Sequence, residues 1–141
     1  MEEAISAEHS ELMVLLYTAE QESHDSSGII KEVTNIFSAH ADREEETLIP
    51  VLQFMKEWSS GIKEVNVSFL KGKAKDFEVE ISTMIKEHAI ILNLFDEINI
   101  KDQKNSCELN NLRSFMKRHS TIEEYYFYPM ATSACNIIEE L

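Results

Sequence analysis

Glycine and proline are scarce in this chain, three and two among 141 residues. Hairpin turns and glycine-rich phosphate loops therefore have little to be built from. Long apolar runs are missing as well, each being interrupted before the ~20 residues that cross a bilayer. The N-terminus, Met1-Glu2-Glu3-Ala4-Ile5-Ser6, has neither the basic region nor the apolar stretch of a secretory signal. A cytoplasmic protein without a membrane partner is the expectation. Cysteine is limited to Cys107 and Cys135, with no Cys-x-x-Cys spacing. Both fall in one expected helix, 28 residues apart, or ~42 Å along its axis. That is too far for a disulfide unless the helix breaks, so free thiols are expected. Lysine and arginine total 13 against 26 aspartates and glutamates, a net charge of −13. Such a surface repels nucleic acid and anionic membranes.

What remains suits one helical domain over 1–141, with an ordinary apolar fraction and enough length for one core. The chain also repeats itself. Glu8-His9 returns as Glu87-His88, and His40-x-x-x-Glu44-Glu45-x-x-Leu48-x-Pro50 returns as His119-x-x-x-Glu123-Glu124-x-x-Phe127-x-Pro129. His9 to His88, His40 to His119, Glu44 to Glu123 and Pro50 to Pro129 are each 79 residues apart. Duplication of a helical hairpin, with halves about 1–62 and 74–141, accounts for this offset.

Four segments carry inward seams with alternating spacings of three and four. They are Ile5-His9-Leu12-Leu16-Ala19; Val33-Phe37-His40-Glu44-Thr47-Val51-Phe54-Trp58; Phe77-Ile81-Met84-His88-Ile91-Phe95-Ile98; and Leu112-Met116-His119-Glu123-Tyr126-Met130. Turns are expected over 24–28 and 102–106. A longer connection from Ser59 to about Lys75 would lay Val65, Val67, Phe69 and Leu70 over the end of the bundle. Short first and last loops make neighbours antiparallel, so the fold class is an all-α, up-down-up-down four-helix bundle. Pro50 and Pro129 should kink or end their helices, and the seam resuming after Pro50 favours a kink there.

His9 and His40 are equidistant from the middle of the first turn, and His88 and His119 from that of the second. Equal distance along antiparallel helices means equal height, so four imidazoles should form one inward layer. Glu44 and Glu123 lie one turn beyond His40 and His119 on the same faces. Six buried polar side chains without partners would be costly. As ligands of two metal ions bridged by the carboxylates they make sense, and imidazole with carboxylate suits iron, manganese or zinc.

These doubled motifs resemble the hemerythrin-like (HHE cation-binding) family over essentially the whole chain. The resemblance implies two non-haem iron ions with an oxo or hydroxo bridge. His9 and His40 would bind one, His88 and His119 the other, and Glu44 and Glu123 would bridge them. Oxygen-carrying members use a fifth histidine one turn from the third helix's ligand. Here the neighbours of His88 at that spacing are Met84 and Leu92. Water, Glu87 or His24 could stand in, although His24 reads as a surface-loop residue.

Other residues have a functional and an ordinary reading side by side. Leu12, Phe37, Ile91 and Met116 form either a dry pocket for a diatomic ligand or plain core. Tyr126 is either a partner of a bridging carboxylate or a core tyrosine bonded elsewhere. Glu45 and Glu124 are solvated charges or partners of a histidine's outer nitrogen, and Tyr125 and Tyr128 read as surface or interface residues. Functionally, the expectation is a di-iron protein binding oxygen, nitric oxide or peroxide for sensing, storage or scavenging, with an electron donor as a further partner. The alternatives are a peroxidase- or ferroxidase-like oxidoreductase, an iron storage or delivery protein, and a redox-silent zinc site. No histidine has a glutamate three residues before it, which disfavours a ferritin-type centre. Oligomeric state is left open.

Overall fold

A computed structural model describes residues 2–22, 26–62, 64–101 and 106–141. Helix α1 spans Glu2–Glu22, α2 Ser27–Ser59 and α3 Val67–Lys101. The fourth rod comprises α4 Ser106–Ile122, a π-helical turn Glu123–Phe127 and α5 Tyr128–Glu139. Sequential rods pack side by side, and α1 closes the ring against α4. This is the expected all-α four-helix bundle, and no strand occurs among the described residues.

The connection between α2 and α3 is shorter than the sequence reading expected. Gly61, at φ +90°, ends α2: its N–H donates to the Trp58 carbonyl and that of Ile62 to the Glu57 carbonyl. These bonds make a Schellman cap, which needs a left-handed residue that glycine supplies without strain. Asn66 then caps α3, its Oδ1 accepting the Phe69 N–H at 3.0 Å. Residues 67–74 are therefore helix, not loop. Leu70 and Ala74 are buried below Phe77, so the α3 seam runs one full step earlier through a small residue. Val67 and Phe69 stay exposed.

Apolar side chains form two core clusters. One gathers Leu12, Leu16, Ile30, Phe37, Ile91, Phe95, Leu109 and Met116 towards the α1–α2 and α3–α4 turns. The other gathers Ile5, Val51, Phe54, Phe77, Met84, Tyr128 and Ile138 towards the chain ends. Between them, at the level of residues 9, 40, 88 and 119, lies a layer that belongs to neither. Cys107 and Cys135 are free thiols, as expected, the first exposed and the second buried. His24 and most of the 102–106 turn lie outside the described residues.

Candidate metal centre

The layer between the two cores is polar and sealed. His9, His40, His88 and His119 are at most 3 % exposed, and Glu44 and Glu123 are fully buried. Each helix delivers one imidazole, because the seam of each reaches this height at a histidine. A single turn of α2 carries Glu44 in behind His40, and the start of the π-helical turn does the same with Glu123 behind His119.

Two groups of four donors result. His9, Glu44, His119 and Glu123 offer ligand atoms within 4.8 Å of one another, and so do His40, Glu44, His88 and Glu123. Both carboxylates belong to both groups. Oε1 of Glu44 lies 3.0 Å from Nε2 of His9, and its Oε2 lies 3.1 Å from Nε2 of His40. Oε1 of Glu123 lies 3.0 Å from Nε2 of His88 and 3.1 Å from that of His119. The histidines are paired across the hairpins, α1 with α4 and α2 with α3. The resemblance divides them the other way as ligands, His9 with His40 and His88 with His119; Glu44 and Glu123 stand between the two sets in either division. Equal height places all four in one layer, but only the packing of the helices decides which imidazoles share a neighbour.

The donor set fits metal ions on a second ground. Nε2 of His9, Nε2 of His119, Oε1 of Glu44 and both Glu123 oxygens are buried without a hydrogen bond. Orphaned polar atoms of this kind cost roughly 1–3 kcal/mol each unless something satisfies them. Cations at the two group centres would satisfy all of them together. Their all-imidazole and carboxylate chemistry suits iron, manganese or zinc and not a metal that prefers thiolate.

Outside the layer, every imidazole has a carboxylate at Nδ1. His40 meets Glu87 at 3.1 Å, His88 meets Glu124 at 2.9 Å, and His119 meets Glu8 at 2.5 Å. His9 lies 3.4 Å from Glu45, an ion-pair distance without hydrogen-bond geometry. An Nδ1–H donated outward leaves the Nε2 lone pair aimed at the centre, which is how metal-binding histidines are commonly held. The pairings keep the 79-residue offset, His9–Glu45 with His88–Glu124 and His40–Glu87 with His119–Glu8. Of the two readings weighed for Glu45 and Glu124, partnership with a histidine is the one observed. Glu87 faces outward, paired with His40 and with Arg43, so it is not a replacement for the missing fifth histidine.

Tyr126 is not at the centre: it is 66 % exposed. Tyr128, read from the sequence as a surface or interface residue, is buried instead. Its hydroxyl donates to Oε2 of Glu44 at 2.6 Å, and its ring stacks on His88 at 6.0 Å. The cause is the π turn. The Tyr128 N–H bonds to the Glu123 carbonyl five residues back instead of four, which inserts one residue into the turn. The inward seam then passes from Glu123 to Tyr128 and on to Ala131 and Ala134, and Met130 is displaced outward with Tyr126. Pro129, lacking an N–H, sits in the first turn of α5, where none is needed. Pro50, by contrast, is carried within an uninterrupted α2. The neighbouring Tyr-Tyr-Phe-Tyr-Pro sequence was the available signal, but regular helical counting could not rank its tyrosines.

Of the four apolar residues considered for a ligand pocket, Phe37 lies against the layer, its ring centroid 5.7 Å from His9, 6.3 Å from His40 and 6.2 Å from His119. Leu12, Ile91 and Met116 are buried in the same core cluster. They wall off the layer from the turn end of the bundle.

The carboxylates and imidazoles of the layer shift one another's protonation. Burial alone would depress the His9 imidazole, but the adjacent Glu123 and Glu44 carboxylates outweigh it and raise the pKa to about 10. His119 behaves alike, opposed by burial but raised to about 9 by Glu123 and Glu8. His88 is also raised, against burial, by Glu123 and Glu124. Glu123 is held well below its ordinary range: burial opposes this, and the close approach of the His119, His88 and His9 imidazoles prevails. The Tyr128 phenol is pushed up by burial and by the nearby Glu44 carboxylate. It therefore stays protonated and donates.

The family model described as Hemerythrin HHE cation binding domain matches residues 1–131. Neither a curated protein nor a solved structure matches the chain significantly.

Proposed function

The chain belongs to the hemerythrin HHE cation-binding domain family, and from that premise we propose that its buried layer holds two non-haem iron ions for binding a small ligand, namely oxygen, nitric oxide or peroxide. The observation that carries the reading is the sharing of Glu44 and Glu123 by two four-donor groups. A pair of carboxylates common to both groups serves two cations, not one. Four protein donors per ion leave positions open if the metal is six-coordinate, and a diatomic ligand needs such a position.

When bound, the irons supply coordination of the small ligand and reversible one-electron chemistry. The chain's own residues do the rest. Glu8, Glu87 and Glu124 accept the outer N–H of their histidines, and Glu45 supplies charge beside the fourth. They thereby fix the tautomer and the aim of Nε2. Tyr128 holds Glu44 by Oε2, the oxygen that also faces His40. Phe37, Leu12, Met116 and Ile91 on one side, with Met84 and Tyr128 on the other, exclude bulk water. Low polarity around the layer strengthens every electrostatic contact inside it.

Tyr128 supports a second reading, a di-iron oxidoreductase acting on peroxide. A buried phenol hydrogen-bonded to a carboxylate can supply both a proton and an electron. An electron donor would be a partner under either reading.

Metal content and the near-ultraviolet and visible spectrum of protein reduced anaerobically, then exposed to oxygen, test the proposal. Two irons per chain and a charge-transfer band on oxygenation are expected. Reversal of the band on removing oxygen favours binding, whereas consumption of peroxide beyond one equivalent per site favours catalysis. One metal per chain, or zinc without a spectrum, would overturn the di-iron reading.

A further inference from the structure

The core on the turn side of the layer is not sealed between α1 and α4. A groove of about 460 Å³ opens there, lined by Leu15 and Ala19 of α1 and by Leu109, Leu112 and Phe115 of α4. Its cause is local. Ala19 is the last seam residue of α1, and its methyl group does not fill the space that leucines fill elsewhere on that seam. Leu109 and Leu112 are buried beneath the opening, whereas Leu15 is exposed at its edge.

The groove continues into the apolar wall of the layer. Leu109 and Leu112 belong to the same buried cluster as Leu12 and Met116, and Ala19 and Phe115 pack against that cluster. Leu12 follows His9 by three residues and Met116 precedes His119 by three, so each stands ~4.5 Å along its helix from a histidine of the layer. Phe115 adjoins Met116 in the chain, and Leu112 lies one turn further from the layer on the same face. Leu12 and Met116 thus stand between groove and layer, and a methionine, unbranched and adaptable, is readily displaced. Approaches from the sides are charged instead. Glu8, Glu45, Glu87 and Glu124 stand outside the four imidazoles, and Arg43 holds Glu87.

We propose that this groove admits the ligand of the centre, and that its occupant is an uncharged diatomic gas, oxygen or nitric oxide, passing between Leu12 and Met116. This rests on the small-ligand reading above. Such a gas leaves water readily for an apolar cavity. Peroxide is polar, so it gives up hydrogen bonds to water and finds none on a leucine floor. An anion is opposed by Glu108 at the rim and by the net charge of −13. The groove is therefore a filter as well as a route, favouring diatomic gases over peroxide at one and the same centre.

Xenon, which seats in apolar cavities, tests the groove without iron. Under xenon pressure the methyl resonances of Ala19, Leu109 and Leu112 in metal-stripped protein should shift. Those of Ala131 and Ala134, in the other core cluster, should not. Rapid mixing of reduced, iron-loaded protein with oxygen tests the route. Ala19→Trp lays an indole across the groove and should slow oxygen association about tenfold, a barrier higher by ~1.4 kcal/mol. Phe115→Ala widens the groove and should speed association. Neither should change the iron content, the final spectrum or the rate of reaction with peroxide. Unshifted methyl groups, or equal oxygen rates in native protein and both variants, would overturn the proposal. So would 1-decanol, a larger apolar occupant, if it filled the groove and left the oxygen rate unaltered. No reaction with oxygen or nitric oxide at an intact two-iron site would instead overturn the small-ligand reading, and the proposal with it.

Discussion

The Tyr128 hydroxyl and the Glu44 carboxylate, 84 residues apart in the chain, meet at 2.6 Å inside the bundle. This bond ties α5 to α2 directly below the histidine layer, and it exists because one π turn swings position 128 inward. Tyr128→Phe keeps the ring on His88 and removes the donor. Loss of a buried hydrogen bond to a charged group should cost about 1.5–3 kcal/mol, read by denaturant unfolding of metal-stripped protein. Tyr126→Phe, on the exposed face, should change stability by no more than about 0.5 kcal/mol. Equal effects from the two would show that the π turn is misplaced.

The bridging role is tested separately from the fold. Glu44→Gln and Glu123→Gln preserve size but replace a carboxylate with an amide that binds two cations poorly. Each should reduce loading from two metals to one or fewer per chain, measured by elemental analysis after dialysis. Full loading with an unchanged spectrum in both variants would remove the bridging assignment.

Outer carboxylates should matter for affinity while leaving the ligand set intact. Glu8→Gln and Glu124→Gln each remove the acceptor of an imidazole N–H, at 2.5 and 2.9 Å in the native protein. Competition against a chelator should show ~10–100-fold weaker metal binding in each. Glu46→Gln, whose carboxylate is exposed and pairs with Lys73 at 3.7 Å, serves as the neutral comparison.

Protons and metal compete for the same histidines, and the sign can be worked out. In metal-stripped protein His9 is raised from 6.5 to about 10 and His119 to about 9. Their protonation stabilises the fold fully below about pH 6.5, and that contribution is lost as pH rises through 9–10. Glu123 is depressed, so its contribution is present above its ordinary value of 4.5 and is lost as pH falls through its lowered pKa. Thermal melts of stripped protein should therefore fall between neutral pH and 10. Metal binding near pH 7 should release protons, which calorimetry in buffers of different ionisation enthalpy would count. Acidification should expel the metal, and melts that rise steadily with pH would contradict protonated histidines in the stripped layer.

The two thiols should be told apart by reagent. Cys107 is exposed, whereas Cys135 is buried, its pKa pushed up to about 12 by burial first and then by Glu78 and Glu139. One thiol should react in native protein and two after unfolding. A native count of two would mean that the α5 end of the core is open.

Much of the centre was legible because helical spacing carries it. His9, His40, His88 and His119 sit at positions where a three-and-four seam must face inward, and their equal distances from the turns set them at one height. Glu44 and Glu123 follow from the same periodicity one turn on. Where the regular period failed, so did the reading. Position 126 continues an ideal helix from Glu123, but an inserted residue hands its place to Tyr128. The start of α3 was missed because Ala74 is too small to mark a seam, although it is buried beneath one.

By itself, then, the sequence determined the class of fold, the six buried donors and the chemistry they share, because period and composition are local properties of a chain. The tertiary structure alone decided which imidazoles lie side by side, which carboxylate stands behind each of them, and which tyrosine reaches Glu44. Those depend on how neighbouring helices are rotated and on a single turn's hydrogen bonding, and neither is written in the spacing of residues along one helix.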